Sequence, residues 1–322
     1  MIRYKDRSIR KTIIIAFSLL IFVVLSVVVW ISYSLTERMA MKIISDNTYQ
    51  MVKQVNYNIE YYLNQIEMVH RDLYYNKDVQ SYLTKDTLES NIQDIGDRVA
   101  ENINSISMAR NDITNIYLFT KDGRYIIDDP EAKLKDIDIK KEDWYINTLN
   151  AKEMLVSESR IDHLIEGRYN WVITCTHPLR EWGNNENLGV LKVDLNFNII
   201  SDMCQKVKLG KKGYVFIIDS NGNIVYHPKQ QLIYSNLKYE PMEEILQTNR
   251  GSYVLNSREE GKKQYNIITS DSVGWTTVGV AYLDEINEYT TQLKSFYLLL
   301  AGSALVISIL ISILIARKIL SP

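Results

Sequence analysis

The side chains able to do chemistry are few and widely spaced. Four histidines, His70, His163, His177 and His227, show no HxH, HExxH or CxxC spacing that would gather a metal ion. There is no GxSxG elbow and no nucleophile–His pairing at a recognisable spacing, so a hydrolase is the least favoured class. A nucleotide-binding glycine motif and a phosphoacceptor His box are also absent from these residues. Neither a catalytic set, a metal site nor a cofactor is expected here, and the chemistry is that of binding. Two cysteines remain, Cys175 in an apolar strand pattern and Cys204 in a helical one. An oxidising compartment would permit a disulfide between them, and a pair of buried thiols is the other reading.

The elements that would position a binding site begin in a membrane. Thr12–Ile31 is twenty residues without a charge and Phe296–Ala316 another twenty-one. At roughly 1.5 Å of rise per residue, either run crosses a hydrocarbon core about 30 Å thick. The chain of 322 residues, 46% hydrophobic and 24% charged, is therefore not a cytosolic globular enzyme. A net charge of −2 also excludes a nucleic-acid binder with a basic surface. Arg3, Lys5, Arg7, Arg10 and Lys11 precede the first run, and Arg317 and Lys318 follow the second. Both ends are thus expected in the cytoplasm, with the acidic segment 32–295 outside. The first run exceeds a signal-peptide core and lacks an A-x-A site, which favours an uncleaved anchor.

Outside the membrane the pattern is helical first. Val52, Val55, Ile59, Tyr62, Ile66, Val69 and Leu73 recur at alternating intervals of three and four. No Pro or Gly interrupts Thr12–Ile95, so one helix is expected to run on to about Tyr75. Residues 33–75 alone would reach roughly 64 Å. A second stripe follows at Leu88, Ile92, Ile95, Val99, Ile103 and Ile106. Such a seam suits either packing on the chain's own domain or a parallel homodimer.

A strand-rich module then appears twice. Ile113–Thr120 turns through Asp122-Gly123 into 124–127, and Gly213–Asp219 turns through Asn221-Gly222 into 223–227. Helices are expected at 142–151 and 241–249, the latter with Pro at its first turn and Gly251 past its end. Strands follow at 169–179 and 188–195 in the first copy, and at 263–270 and 275–282 in the second. Helix is expected to join the copies at 197–208, and a further helix leads from Asp284 into the second span.

This arrangement resembles the double Cache (dCache) extracytoplasmic sensor. The strongest local likeness is Gly213–Pro228 (GYVFIIDSNGNIVYHP), with Asp143-Trp144-Tyr145 and Gly189–Leu195 (GVLKVDL) in the other copy. The resemblance implies an α+β fold: a long N-terminal helix and two tandem PAS-like modules with antiparallel sheets, flanked by two transmembrane helices. The expected plan is a cytoplasmic 1–11, spans at 12–31 and 296–316, and a sensor at 32–295. Within the sensor lie long helices (32–110), a membrane-distal module (111–196), a linking helix (197–209), a membrane-proximal module (210–284) and a helix to the membrane (285–295). Arg317–Pro322 (RKILSP) resembles the opening of a HAMP linker, a positive stop-transfer tail being the alternative.

Over Gln54–Leu83 the chain is most similar to sensor histidine kinases that carry this module. The resemblance therefore implies a two-component signal transducer in the bacterial plasma membrane, with its output domain outside these residues. Methyl-accepting chemotaxis receptors share the sensor, so that host, a diguanylate cyclase or a stand-alone membrane-anchored binding protein are the alternatives. Ligand binding would bias two conformations of the helices entering the membrane, as differential affinity requires.

In such sensors the ligand, a small metabolite, lies in the distal module between helix and sheet. The resemblance makes Trp144 and Tyr145 pocket walls and Asp162 and Asp194 acceptors for an ammonium group, with cation–π attraction from the aromatic face. Tyr117 and Tyr125 would line the same cavity. The plainer readings are helix-on-sheet packing for the aromatics, a helix cap for Asp194, and a solvated polar loop for Asp162. The amino-acid-binding version has Arg where this chain has Glu142, and Tyr where it has Arg160. Either Arg160 restores the cation from another side, or the ligand is not an α-amino acid. His227-Pro228 is read as structural.

Overall fold

The computed structural model describes residues 2–84, 89–229, 240–248, 250–257 and 261–319. Leu88 of the second stripe, Asn249 and the 320–322 end of the HAMP-like segment lie outside the described residues. Helix α1 runs unbroken over Ile2–Tyr74, as a stretch without Pro or Gly allows. It stops where Asn76 turns to cap the next helix: the Asn76 side chain accepts from the backbone N–H of Asp78 (2.8 Å) and Val79 (3.3 Å). That next helix, α2 (Lys77–Thr84), is followed by α3 (Glu89–Ala109).

The chain divides into two compact units, one comprising Tyr49–Tyr253 and Tyr265–Val280. Its core settles the meaning of the heptad stripe. Val52, Val55, Ile59, Tyr62, Ile66, Val69 and Leu73 are all buried, in one cluster with Ile95, Val99 and Ile103 of α3. Sequestering each aliphatic side chain contributes about 1.5–3 kcal/mol, which a solvent-facing seam would forgo. The stripe is therefore not available as a dimer seam, contrary to that reading of the sequence.

The chain carries two five-stranded antiparallel sheets, and the repeat seen in the sequence is a repeat of topology. The first has strands β1 (Ile113–Thr120), β2 (Tyr125–Ile127), β3 (Leu155–Asp162), β4 (Asn170–Arg180) and β5 (Asn187–Asn196) in the order β2-β1-β5-β4-β3. The second has β6 (Tyr214–Ile218), β7 (Ile224–Tyr226), β8 (Arg250–Ser257), β9 (Gly261–Thr269) and β10 (Thr276–Tyr282) in the matching order β7-β6-β10-β9-β8. Both hairpins close the same way. Gly123 N–H donates to Thr120 O and Gly222 N–H to Asp219 O, each at 3.1 Å. The two glycines take φ of 102° and 83°, the positive values a three-residue loop needs at its last position.

Shorter helices fill the connections: α4 (Asp143–Asn150), α5 (Phe197–Gln205) and α6 (Met242–Gln247). Three local expectations are corrected. Asp162 ends strand β3 and is 6% exposed, so RIDHLIEG does not leave it in a solvated loop. The α5 cap is Asn196, whose side chain accepts from Asn198 N at 3.0 Å, which frees Asp194 from that role. Gly251 does not terminate α6 but sits inside β8. Cys175 and Cys204 are both buried free thiols rather than a disulfide.

The other unit holds the early portion of α1, parts of β8 and β9, and helix α7 (Asp284–Ile319). Each of the two helices carries a stretch long and apolar enough to cross a membrane, within Ile15–Tyr74 and Leu293–Ile311. Their apolar side chains are exposed, Trp30 at 70% and Leu299 at 75%, as a lipid solvent would require.

Candidate ligand-binding site

Alternation along β5 sorts its side chains onto two faces. Leu191, Val193 and Leu195 enter the core beneath α1 and α3. Val190, Lys192 and Asp194 turn to the opposite face, the one that α4 covers. Register then sets their neighbours: Lys192 lies between Tyr117 of β1 and Thr176 of β4, and Asp194 between Asn115 and Thr174. From β3, Arg160 and Asp162 pair opposite Val172 and Asn170.

These residues form a buried ion cluster centred on Lys192, whose side chain is fully buried. Its Nζ donates to Asp194 Oδ2 and, at 3.3 Å, to Asp162 Oδ1. The ammonium also lies 4.3 Å from the centre of the Tyr117 ring and 5.9 Å from that of Trp144. Tyr117 OH donates to Asp162 Oδ2 at 3.2 Å. Thr174 Oγ1 donates to Asp194 Oδ1 at 2.6 Å and accepts from Arg160 Nη2 at 3.1 Å. Helix α4 is fastened over the cluster by the Thr148 and Thr176 hydroxyls, 2.7 Å apart. Burial pushes the Asp194 carboxyl above the usual carboxylate range, against the downward pull of Lys192. Burial, then Asp194 and Asp162, raises the Tyr117 phenol, which stays a neutral donor. Removing one member of such a buried pair typically costs about 3–5 kcal/mol.

Of the seven residues expected at the site, Tyr117, Asp162 and Asp194 meet directly around Lys192. Trp144 stands beside them, its ring 5.7 Å from Phe119, and Arg160 joins through Thr174. Tyr145 packs edge-on to Trp144 at 5.9 Å but lines a different cavity of about 430 Å³, together with Tyr125. Tyr125 is 49% exposed and takes no part in the cluster. A larger cavity of about 940 Å³ has Trp144, Arg160, Thr174 and Thr176 on its inner wall. It continues onto the β6–β7 turn at Asp219–Asn221 and onto Trp275.

Lys192 is the residue that sequence reasoning missed. Its signal was the spacing Lys-x-Asp inside an apolar strand, which puts both charges on one buried face. The arrangement can bind and orient a small polar molecule. Among the described residues there is no cluster of His, Cys, Asp and Glu able to hold a metal ion.

Comparison with known proteins agrees with this architecture. McpA of Bacillus subtilis, a methyl-accepting chemotaxis protein, is 24% identical over 99% of this chain and 45% of its own length. TlpB of the same organism is 22% identical over 99% and 45%. The chain thus spans about half the length of the curated relatives it matches. The sensory domain of the Campylobacter jejuni chemoreceptor Tlp3 superposes with a TM-score of 0.60 at 19% identity, covering 79% of this chain and 99% of that one. The ligand-binding domain of PctB from Pseudomonas aeruginosa, solved with L-Arg, gives 0.57 at 17% identity, covering 78% and 92%. These relatives are chemotaxis receptors rather than histidine kinases, which moves the balance to the host held as the alternative. Residues 36–289 match the dCache_1 family, described as Cache domain, and the chain belongs to it.

Proposed function

We propose that this chain is the sensing half of a methyl-accepting chemotaxis receptor, which detects a small molecule in its first, membrane-distal module. The observation that carries the reading is likeness to such receptors along 99% of the chain, with an apolar helix on either side of the Cache sensor. The basic residues at both ends support cytoplasmic termini and an external 32–295. Helix α1 supplies the mechanical element, since one uninterrupted helix contains both an apolar span and the buried stripe. A typical coupling of about 1–3 kcal/mol between ligand and helix position would bias output 5–150-fold. A homodimer on this reading uses a face other than the Val52–Leu73 stripe. Tlp3 and PctB are solved with amino acids bound, so small carboxylate metabolites are the first compounds to try.

The test joins residues 1–319 to the signalling half of Bacillus subtilis McpA in cells lacking other receptors. A compound that raises the melting temperature of the full chain should change swimming bias in these cells. If compounds that bind the chain leave swimming unaltered while intact McpA responds to its own attractants, the receptor reading fails.

A further inference from the structure

The polarity of the site is the reverse of what an α-amino acid needs. Asp162 and Asp194, the carboxylates facing the interior, already hold an ammonium group, that of Lys192. Lys192 stands on the central strand β5, flanked on both sides, with its side chain wholly buried. An arriving ligand ammonium would have to expel it, and strand and helix leave it no solvated position to take up. The next layer outward is also cationic. Arg160 lines the cavity of about 940 Å³, held by its bond to Thr174. Among the described residues, no carboxylate forms an ion pair with this guanidinium. The same cavity is also lined by Glu142, Asp143, Glu153, Glu158 and Asp219, with Lys152 the one other cation among the described residues.

We infer that the ligand is a monocarboxylate without an α-ammonium group, its carboxylate paired with Arg160 and the ammonium position filled permanently by Lys192. Guanidinium matches carboxylate in a two-point geometry, and Trp144 on the same cavity lining offers an aromatic face for the rest of the molecule. A second carboxylate would meet a lining in which five acidic residues outnumber Arg160 and Lys152, which disfavours dicarboxylates. Lys192 acts here as an internal stand-in for a ligand group, and it sets specificity by occupancy. This inference rests on the sensor reading above and names the class of compound sensed.

The experiment is calorimetry and thermal melting on the full chain in detergent micelles. The probes are the alkyl monocarboxylates from acetate to hexanoate, each paired with its 2-amino acid, and succinate. At least one monocarboxylate should bind saturably and raise the melting temperature, with its 2-amino partner and succinate at least about tenfold weaker. Arg160→Gln should weaken that monocarboxylate by about tenfold or more while leaving the melting temperature of the free protein near wild type. Lys192→Met vacates the ammonium position and should move the preference toward the 2-amino acid by about tenfold. Arg160→Gln leaves the ion cluster intact and keeps the test decisive if Lys192→Met does not fold. The inference is overturned if a 2-amino acid binds wild type as tightly as its monocarboxylate, if no monocarboxylate binds, or if Arg160→Gln changes nothing. A 2-amino acid that binds and also drives the McpA fusion would leave the receptor reading standing and remove this inference alone.

Discussion

Mild acid should destabilise the sensor through His70, and by an amount the structure sets. His70 lies on the buried side of α1, 1% exposed, with Nδ1 2.9 Å from the Ile66 carbonyl oxygen and the His177 ring 5.7 Å away. Burial first, and His177 second, bring its pKa from 6.5 down to about 3. The unfolded chain takes up a proton at this position below about pH 6.5, whereas the folded chain does so only near pH 3. Stability is thus full above the unfolded value and falls as pH drops through the interval. At about 1.4 kcal/mol per pH unit, going from about pH 7 to about pH 5 removes about 2 kcal/mol. For a unit of roughly 200 residues that lowers the melting temperature by about 4–8 °C. The assay is thermal melting of the full chain in detergent at about pH 7, 6 and 5, for wild type and His70→Gln. Carboxylates and His177 titrate in both proteins, so the difference in slope isolates His70. Parallel slopes would refute the argument, because a neutral buried imidazole cannot lack a proton-linked cost.

Three further perturbations probe the packing. Ile66→Ala, in the buried stripe of α1, should cost about 2–5 kcal/mol and lower the melting temperature independently of protein concentration, as a core residue would and a dimer seam would not. Gly189→Ala should weaken the β1–β5 pairing, since a Cβ there would lie 2.1 Å from Phe119 O; a loss of about 1–3 kcal/mol in denaturant melts is expected. Cys175 and Cys204, whose thiols burial pushes well above their ordinary range, should resist maleimide at about pH 7 in the native chain and label together on unfolding.

Where the fold was legible in the sequence, one period dominated. The three–four spacing of α1, the Gly turns at 123 and 222 and the echo between the modules each express a local rule, and the structure repeats them. The host protein could not be read from the same residues, because one sensor serves several outputs. Strand β3 escaped because its burial is mixed: Leu155 and Glu158 are exposed while Ser159 and Asp162 are buried, so no apolar alternation marks it. A bulge between Val156 and Ser159 breaks its register with β4 as well. An edge strand of this kind is held by its neighbour's hydrogen bonds, a tertiary cause that its own residues do not carry.

The site shows the same division at finer scale. Family likeness proposes Asp162 and Asp194 as acceptors, and the structure places both on a third residue, Lys192, that the likeness does not mark. Lys192 is two residues from Asp194, and only the pleat of β5, buried on both faces, makes that spacing a contact. The ammonium is kept from water because Lys192 points to the face of the sheet that α4 covers, the same face on which Asp162 and Asp194 lie. Strands β1 and β4 flank β5 and supply the Tyr117 and Thr174 side chains that close the cluster. Topology therefore decides which ion the carboxylates hold, and with it the chemical class left for Arg160 to receive.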